Sequence, residues 1–149
     1  MSSLRDVSID RIRLTAGDES IGTVLELVRK SCAQHRVVAE HVSILELVCD
    51  ELVSNIRRYA HGGESREFEF GIGFDGDTCV LHFTDSGPPF DFTEKAPPDT
   101  AAPLDKREIG GLGIFLVRKY ADRVVYERRD DRNVVTIYKR VADSAHDSV

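Results

Sequence analysis

All five prolines of this chain, Pro88, Pro89, Pro97, Pro98 and Pro103, fall between positions 88 and 103. Proline fixes φ and removes an N–H donor, so this stretch is neither helix interior nor paired strand. Regular structure must lie on either side of it. At its C-terminal end the stretch runs into Gly110-Gly111-Leu112-Gly113-Ile114-Phe115-Leu116-Val117, where an apolar helical pattern begins. A glycine-rich helix start lets backbone N–H groups approach a phosphate, although a hinge would read the same way.

Before the proline stretch, Val7, Ile9, Ile12 and Leu14 suit a short edge strand. From Glu19 the period becomes helical: Ile21, Val24, Leu25, Val28 and Cys32 share one face, and Asp18 is placed to cap it. A second helix is expected from Ala39 to Tyr59, with Val42, Leu45, Val48, Cys49, Leu52 and Ile56 as its buried stripe and Gly62-Gly63 as its end. Phe68, Phe70, Ile72 and Phe74 alternate as in a half-buried strand. Asp75-Gly76-Asp77 signals a hairpin into a strand over Thr78–Thr84. After the proline stretch come a helix from Leu112 to about Ala121 and a hairpin of Arg123–Arg129 with Val134–Arg140, turning across Asp130-Asp131-Arg132-Asn133. The polar tail, 142–149, is expected to be disordered. The order β-α-α-β-β-α-β-β predicts an α+β two-layer sandwich, a mixed, mostly antiparallel sheet with helices on one face. With 149 residues the chain suits one domain, over 1–141.

The net charge of −6 argues against direct binding to a nucleic-acid backbone, which rests on Lys and Arg neutralising phosphates. No apolar run is long enough to span a bilayer, and the first residues carry no apolar signal core. Cys32, Cys49 and Cys79 lie in apolar patterns without metal-ligand spacing and read as small buried hydrophobes. Reduced thiols suit the cytoplasm. His35, His41 and His82 show neither metal spacing nor a partner.

Three groups carry chemistry. Glu51 and Asn55 stand one turn apart on the second helix, surrounded by Val48, Leu52 and Ile56 of its apolar stripe. An amide oxygen there can ligate a hard cation such as Mg²⁺, and a carboxylate can take a proton from a hydroxyl. Asp50 points about 100° away around the helix from Glu51. Asp85 ends a strand, where its carboxylate can accept from an exocyclic amine, and Gly87 lets a flat ligand approach the backbone. The third group is the glycine-rich helix start. Each is also compatible with a plain structural role: a solvated helix face, an Asp turn, a hinge.

Taken in this order on these elements, they resemble the three boxes of the GHKL ATPase superfamily, the Bergerat fold. Asp50-Glu51-Leu52-Val53-Ser54-Asn55-Ile56-Arg57-Arg58-Tyr59-Ala60 is similar to the N box of its anti-sigma-factor serine/threonine kinases. Asp85-Ser86-Gly87-Pro88-Pro89-Phe90-Asp91 is similar to their G1 box, and Gly110 to Arg118 to their G2 box. Pro88-Pro89 replaces a glycine that many superfamily members carry, which stiffens the loop. The resemblance implies ATP and Mg²⁺ as cofactors. Asn55 would hold Mg²⁺, and Glu51 would be the general base toward a substrate serine. Asp85 would bind the adenine amine, Gly87 would shape the adenine floor, and Gly110, Gly111, Leu112 and Gly113 would line the phosphate site. Residues 92–109 would form the ATP lid, with Lys106 and Arg107 near its end. The implied activity is phosphorylation of a STAS-domain antagonist, together with sequestration of a sigma factor, often by a homodimer. The alternative is a nucleotide-binding partner switch that sequesters a regulatory protein without phosphoryl transfer; the carboxylate of Glu51 favours the enzyme.

Overall fold

The computed structural model describes residues 8–17, 19–59, 67–89 and 111–142. Along the chain these form β1 (Ile9–Thr15), α1 (Ser20–Gln34), α2 (Ala39–Tyr59), β2 (Glu67–Asp75), β3 (Thr78–Asp85), α3 (Gly111–Tyr120), β4 (Arg123–Arg129) and β5 (Arg132–Arg140). The expected order therefore holds. Val7, Asp18, Gly62-Gly63, the segment 92–109, Gly110 and the tail from 143 lie outside the described residues. At the start of α1 the N-cap position belongs to Glu19, which makes no side-chain capping bond. Ser20 ties down this end instead: its hydroxyl donates to the Gly17 carbonyl at 2.7 Å, and the Gly17 N–H donates back at 3.3 Å.

The strands form one sheet in the order β1-β2-β3-β5-β4, and all four pairings are antiparallel. The expectation of a mixed sheet is corrected here. β3 and β4 run the same way, but β5 lies between them and is antiparallel to both.

Period-2 alternation sends one side of the sheet to the helices. Ile12, Phe70, Phe83, Val135 and Tyr126 form one cross-strand row on that side, and Ile72, Leu81 and Ile137 sit in the next. Val24, Val28 and Cys32 of α1, Leu45, Val48, Cys49, Leu52, Val53 and Ile56 of α2, and Val117 of α3 complete this core. The three cysteines are free and buried, as their apolar settings suggested. Burial pushes the Cys32 thiol up to about 11 and raises Cys49 and Cys79 as well, so none is a ready nucleophile.

The other side of the sheet is closed more tightly than half-burial would give. At Gly71 an added Cβ would lie 2.7 Å from Cγ2 of Ile9 and 3.4 Å from Cγ of Arg11. The side chains of β1 thus fold over a glycine gap. Opposite Gly71 on the same side, His82 is buried, with Nδ1 3.3 Å from Nη1 of Arg11. Arg11 also reaches Glu69 at 3.4 Å. His82, without a visible partner in the sequence, therefore has one; burial foremost, then the Arg11 charge, lowers its pKa. Filling the gap tests this packing: Gly71→Ala should cost about 1–3 kcal/mol by urea denaturation, as overpacking of a tight site does.

The last hairpin turns on two residues, not four. Asp130 and Asp131 have φ of 54° and 62°, the signature of a two-residue turn with both central residues left-handed. Asp tolerates this conformation better than most side chains. Arg132 and Asn133, read from the sequence as turn, accordingly belong to β5.

Candidate functional site

The hairpin register aligns Leu14, Phe68, Asp85, Asn133 and Arg128 in one row across the sheet, on the helix-covered side. Asp85 closes β3 there, and its Oδ1 accepts from the Gly87 backbone N–H at 2.9 Å. The same oxygen accepts from Nδ2 of Asn133 at 3.1 Å. Two donors on one carboxylate oxygen fix the plane of the group. Oδ2 has no such partner among the described residues. Gly87 is buried beneath the turn, while Ser86 and Pro88 on either side are exposed.

Asn133, only 5% exposed, was missed in the sequence because it sat in the presumed turn. Its Nδ2 also donates to the Pro88 carbonyl at 2.9 Å, and its Oδ1 accepts from the Tyr126 hydroxyl at 2.6 Å and from Nη1 of Arg128 at 3.2 Å. A usable signal existed: once the turn is shortened to Asp130-Asp131, register counting puts the lone Asn of a Val-Val-Thr-Ile strand opposite Asp85.

Glu51 and Asn55 share one side of α2, as the spacing required. Asn55 is 8% exposed, and its Oδ1 has no hydrogen-bond partner among the described residues. Such an orphaned acceptor is costly and calls for an explanation. Glu51 is half-buried, and burial raises its carboxyl above the ordinary range. The neighbouring Asp50 charge adds to this, and the Arg58 guanidinium opposes it. Arg57 and Arg58 occupy the last turn of α2, where cations complement the helix dipole.

α2 packs against α3, whose first turn is Gly111-Leu112-Gly113. No acidic residue lies in that turn to offset the positive end of the dipole. This helix start lies on the helix packed against the one that carries Asn55 and Glu51. The structure joins Asp85 to Gly87 directly, sets Glu51 and Asn55 a turn apart, and packs the second helix against the one that Gly111 opens. Gly110, Lys106 and Arg107 lie outside the described residues.

Among the described residues no group of three or more His, Cys, Asp or Glu is arranged to hold a metal ion. A hard cation here would instead take one protein oxygen and complete its shell with phosphate oxygens and water, a common habit of Mg²⁺. The buried, unpartnered oxygen of Asn55 fits that role. Among the described residues no helix is long and apolar enough to cross a membrane.

Comparison with known proteins places the chain in a family. A family model described as a histidine kinase-like ATPase domain matches residues 14–139. The serine/threonine-protein kinase BtrW of Bordetella bronchiseptica is 31% identical over 94 residues, covering 62% of this chain and 66% of that protein. Among solved structures, that of the RsbU and RsbW domains of Rv1364c from Mycobacterium tuberculosis superposes with a TM-score of 0.67 at 13% identity. It covers 91% of this chain and 33% of the other. The SiaB–SiaC complex from Pseudomonas aeruginosa gives a TM-score of 0.59 at 15% identity, covering 87% of this chain and 88% of the matched one. At these identities the two structures speak for the fold alone. The family match spans all three helices, β2, β3 and β4, the end of β1 from Leu14 and β5 up to Lys139, and with it the α+β sandwich expected of a GHKL ATPase is in place. The chain belongs to the histidine kinase-like ATPase domain family.

Proposed function

We propose that this chain is an ATP-dependent protein serine kinase and anti-sigma regulatory factor, which phosphorylates a serine of a STAS-domain antagonist and sequesters a sigma factor. The observation that carries the catalytic part is the pair on α2. Asn55 presents a buried oxygen with no partner among the described residues, and Glu51, one turn away, has a carboxyl raised by burial. In this reading Asp85 receives the adenine amine through its unengaged Oδ2, and the start of α3 receives the phosphates. Asn55 would hold Mg²⁺, which supplies charge neutralisation on the phosphates when bound. Glu51 takes the proton of the substrate hydroxyl as the serine oxygen bonds to the γ-phosphorus and the bond to the ADP oxygen breaks. Positioning and electrostatics supply most of the catalysis in such transfers.

The similarity to a protein named as a serine/threonine kinase supports the transfer reading. For the regulatory half, the support is the resemblance of the three boxes to those of anti-sigma-factor kinases. A second copy of the chain is the proposed oligomeric partner, with the edge strand β1 and helix α1 as its surface.

Two measurements test this. Purified protein with Mg²⁺, γ-labelled ATP and STAS-domain proteins from the same genome should transfer label to a serine; no transfer to any of them would reject the kinase. Asn55→Ala should weaken Mg²⁺-dependent ATP binding about tenfold to a hundredfold by calorimetry, the range seen when support for a bound metal is removed. Binding equal to wild type would remove Asn55 from the site.

A further inference from the structure

Arg128 projects from β4 in the row that contains Asp85, and its Nη1 donates to the Gly87 carbonyl at 2.8 Å. The same nitrogen reaches Oδ1 of Asn133 at 3.2 Å. With the Tyr126 hydroxyl also on Oδ1, both lone-pair sites of that oxygen are taken. Both hydrogens of Nδ2 are spent as well, toward Asp85 and the Pro88 carbonyl. The Asn133 amide is saturated, and its orientation is settled because Arg128 can only donate. Its sense is therefore fixed: acceptor toward the β4 side chains, donor toward Asp85. A charge-assisted bond from the last hairpin holds the carbonyl of Gly87, and a saturated amide holds the carboxylate of Asp85.

We infer that Arg128, acting through Gly87 and Asn133, is a positioning residue that fixes the plane in which Asp85 presents its free oxygen to the purine, and so sharpens selectivity for a 6-amino purine. Arg128 does not itself touch the base. It keeps Oδ1 of Asp85 engaged by the protein, so that Oδ2 is presented as an acceptor. A 6-amino group is a donor and pairs with it, whereas the 6-oxo group of guanine sets acceptor against acceptor. Without the guanidinium, Asn133 loses one of the two donors that fix its amide, and the Gly87 carbonyl keeps only the long 3.5 Å bond from Nδ2 of Asn133. The carboxylate plane is then free to turn. The inference rests on the ATP reading of the site.

The test compares ATP with GTP. Dissociation constants for both, with Mg²⁺, are measured by calorimetry for wild type, Arg128→Met, Arg128→Lys and Asn133→Leu. Arg128 is exposed, so its variants should fold, and melting followed by circular dichroism checks this. Arg128→Met should weaken ATP binding about fivefold to tenfold, the yield of one lost charge-assisted bond, and leave GTP binding unchanged. The preference for ATP then falls by the same factor. Arg128→Lys, whose single ammonium reaches one acceptor, should recover part of the preference, and Asn133→Leu should lose it as Arg128→Met does. Equal weakening of ATP and GTP would mean that the arginine merely attracts phosphate or supports the fold, and would overturn the inference. So would an unchanged ATP preference in Arg128→Met. Wild-type protein that binds ATP no better than GTP would overturn the nucleotide reading, and this inference with it.

Discussion

Replacing Glu51 by Gln should lower phosphoryl transfer about 10³-fold while ATP still binds. The substitution keeps the shape and a hydrogen-bonding end but removes the only function asked of this side chain, accepting a proton; positioned bases contribute factors of this order. A second readout ties the loss to Glu51 itself. Burial raises its carboxyl pKa, and a base works only when ionised. The acid limb of kcat/KM should therefore lie above the ordinary carboxylate range and disappear in Glu51→Gln. Stability should move the other way. A carboxylate whose pKa is raised by folding favours the protonated form in the folded state, so its charge at neutral pH opposes folding. That penalty sets in as pH rises through the unfolded value and is full above the folded one. Glu51→Gln removes it, and the variant should melt no lower than wild type at pH 7. A variant that unfolds, or one that keeps full transfer, would reject the assignment.

The largest effect on stability is expected at Phe70. It is fully buried, lies directly across from Phe83 in the β2–β3 register, and holds that ring at a centroid distance of 5.0 Å and 49°. Phe70→Ala should cost about 3–5 kcal/mol, from lost transfer energy, a residual cavity and a broken aromatic pair. A domain of this kind has roughly 5–15 kcal/mol in total, so the urea midpoint should fall steeply or the variant should fail to accumulate. A loss below about 1 kcal/mol would mean that α1 and α2 collapse onto the gap, contrary to the close packing of such cores.

What could be read from the chain, and what could not, divides along a physical line. Helices α1 and α2 declared themselves because their apolar stripes repeat over fifteen and twenty-one residues. Glu51 and Asn55 were legible for the same reason, since four residues on a helix fix a shared side whatever else happens. Asp85 was legible as a strand-ending carboxylate next to glycine. Asn133 and Arg128 were not, because their meaning depends on strand pairing. A turn of two residues rather than four changes which side chain faces Asp85, and two aspartates with positive φ are a weak advertisement for so tight a turn. The wholly antiparallel sheet was hidden similarly: helix and strand periods do not say that the last strand returns to the middle. The sequence likewise gave no hint that Gly71 would be roofed by Ile9 and Arg11, side chains from a strand some sixty residues earlier.

That return has a consequence for how the molecule comes into being. Of the five described strands, the one synthesised last is inserted between β3 and β4. Until it arrives, those two strands face each other across an empty lane, with unpaired edges of the kind that recruit foreign strands. Contacts this distant in the chain make assembly slow, and the bond from Asn133 to Asp85 alone closes a separation of 48 residues. A chain halted before Arg132 would carry Glu51, Asn55 and Asp85 and still lack Asn133, whose amide holds the Asp85 carboxylate. On the proposed reading, nucleotide binding therefore waits for β5, because among the described residues only that strand brings a donor from outside the turn to Asp85.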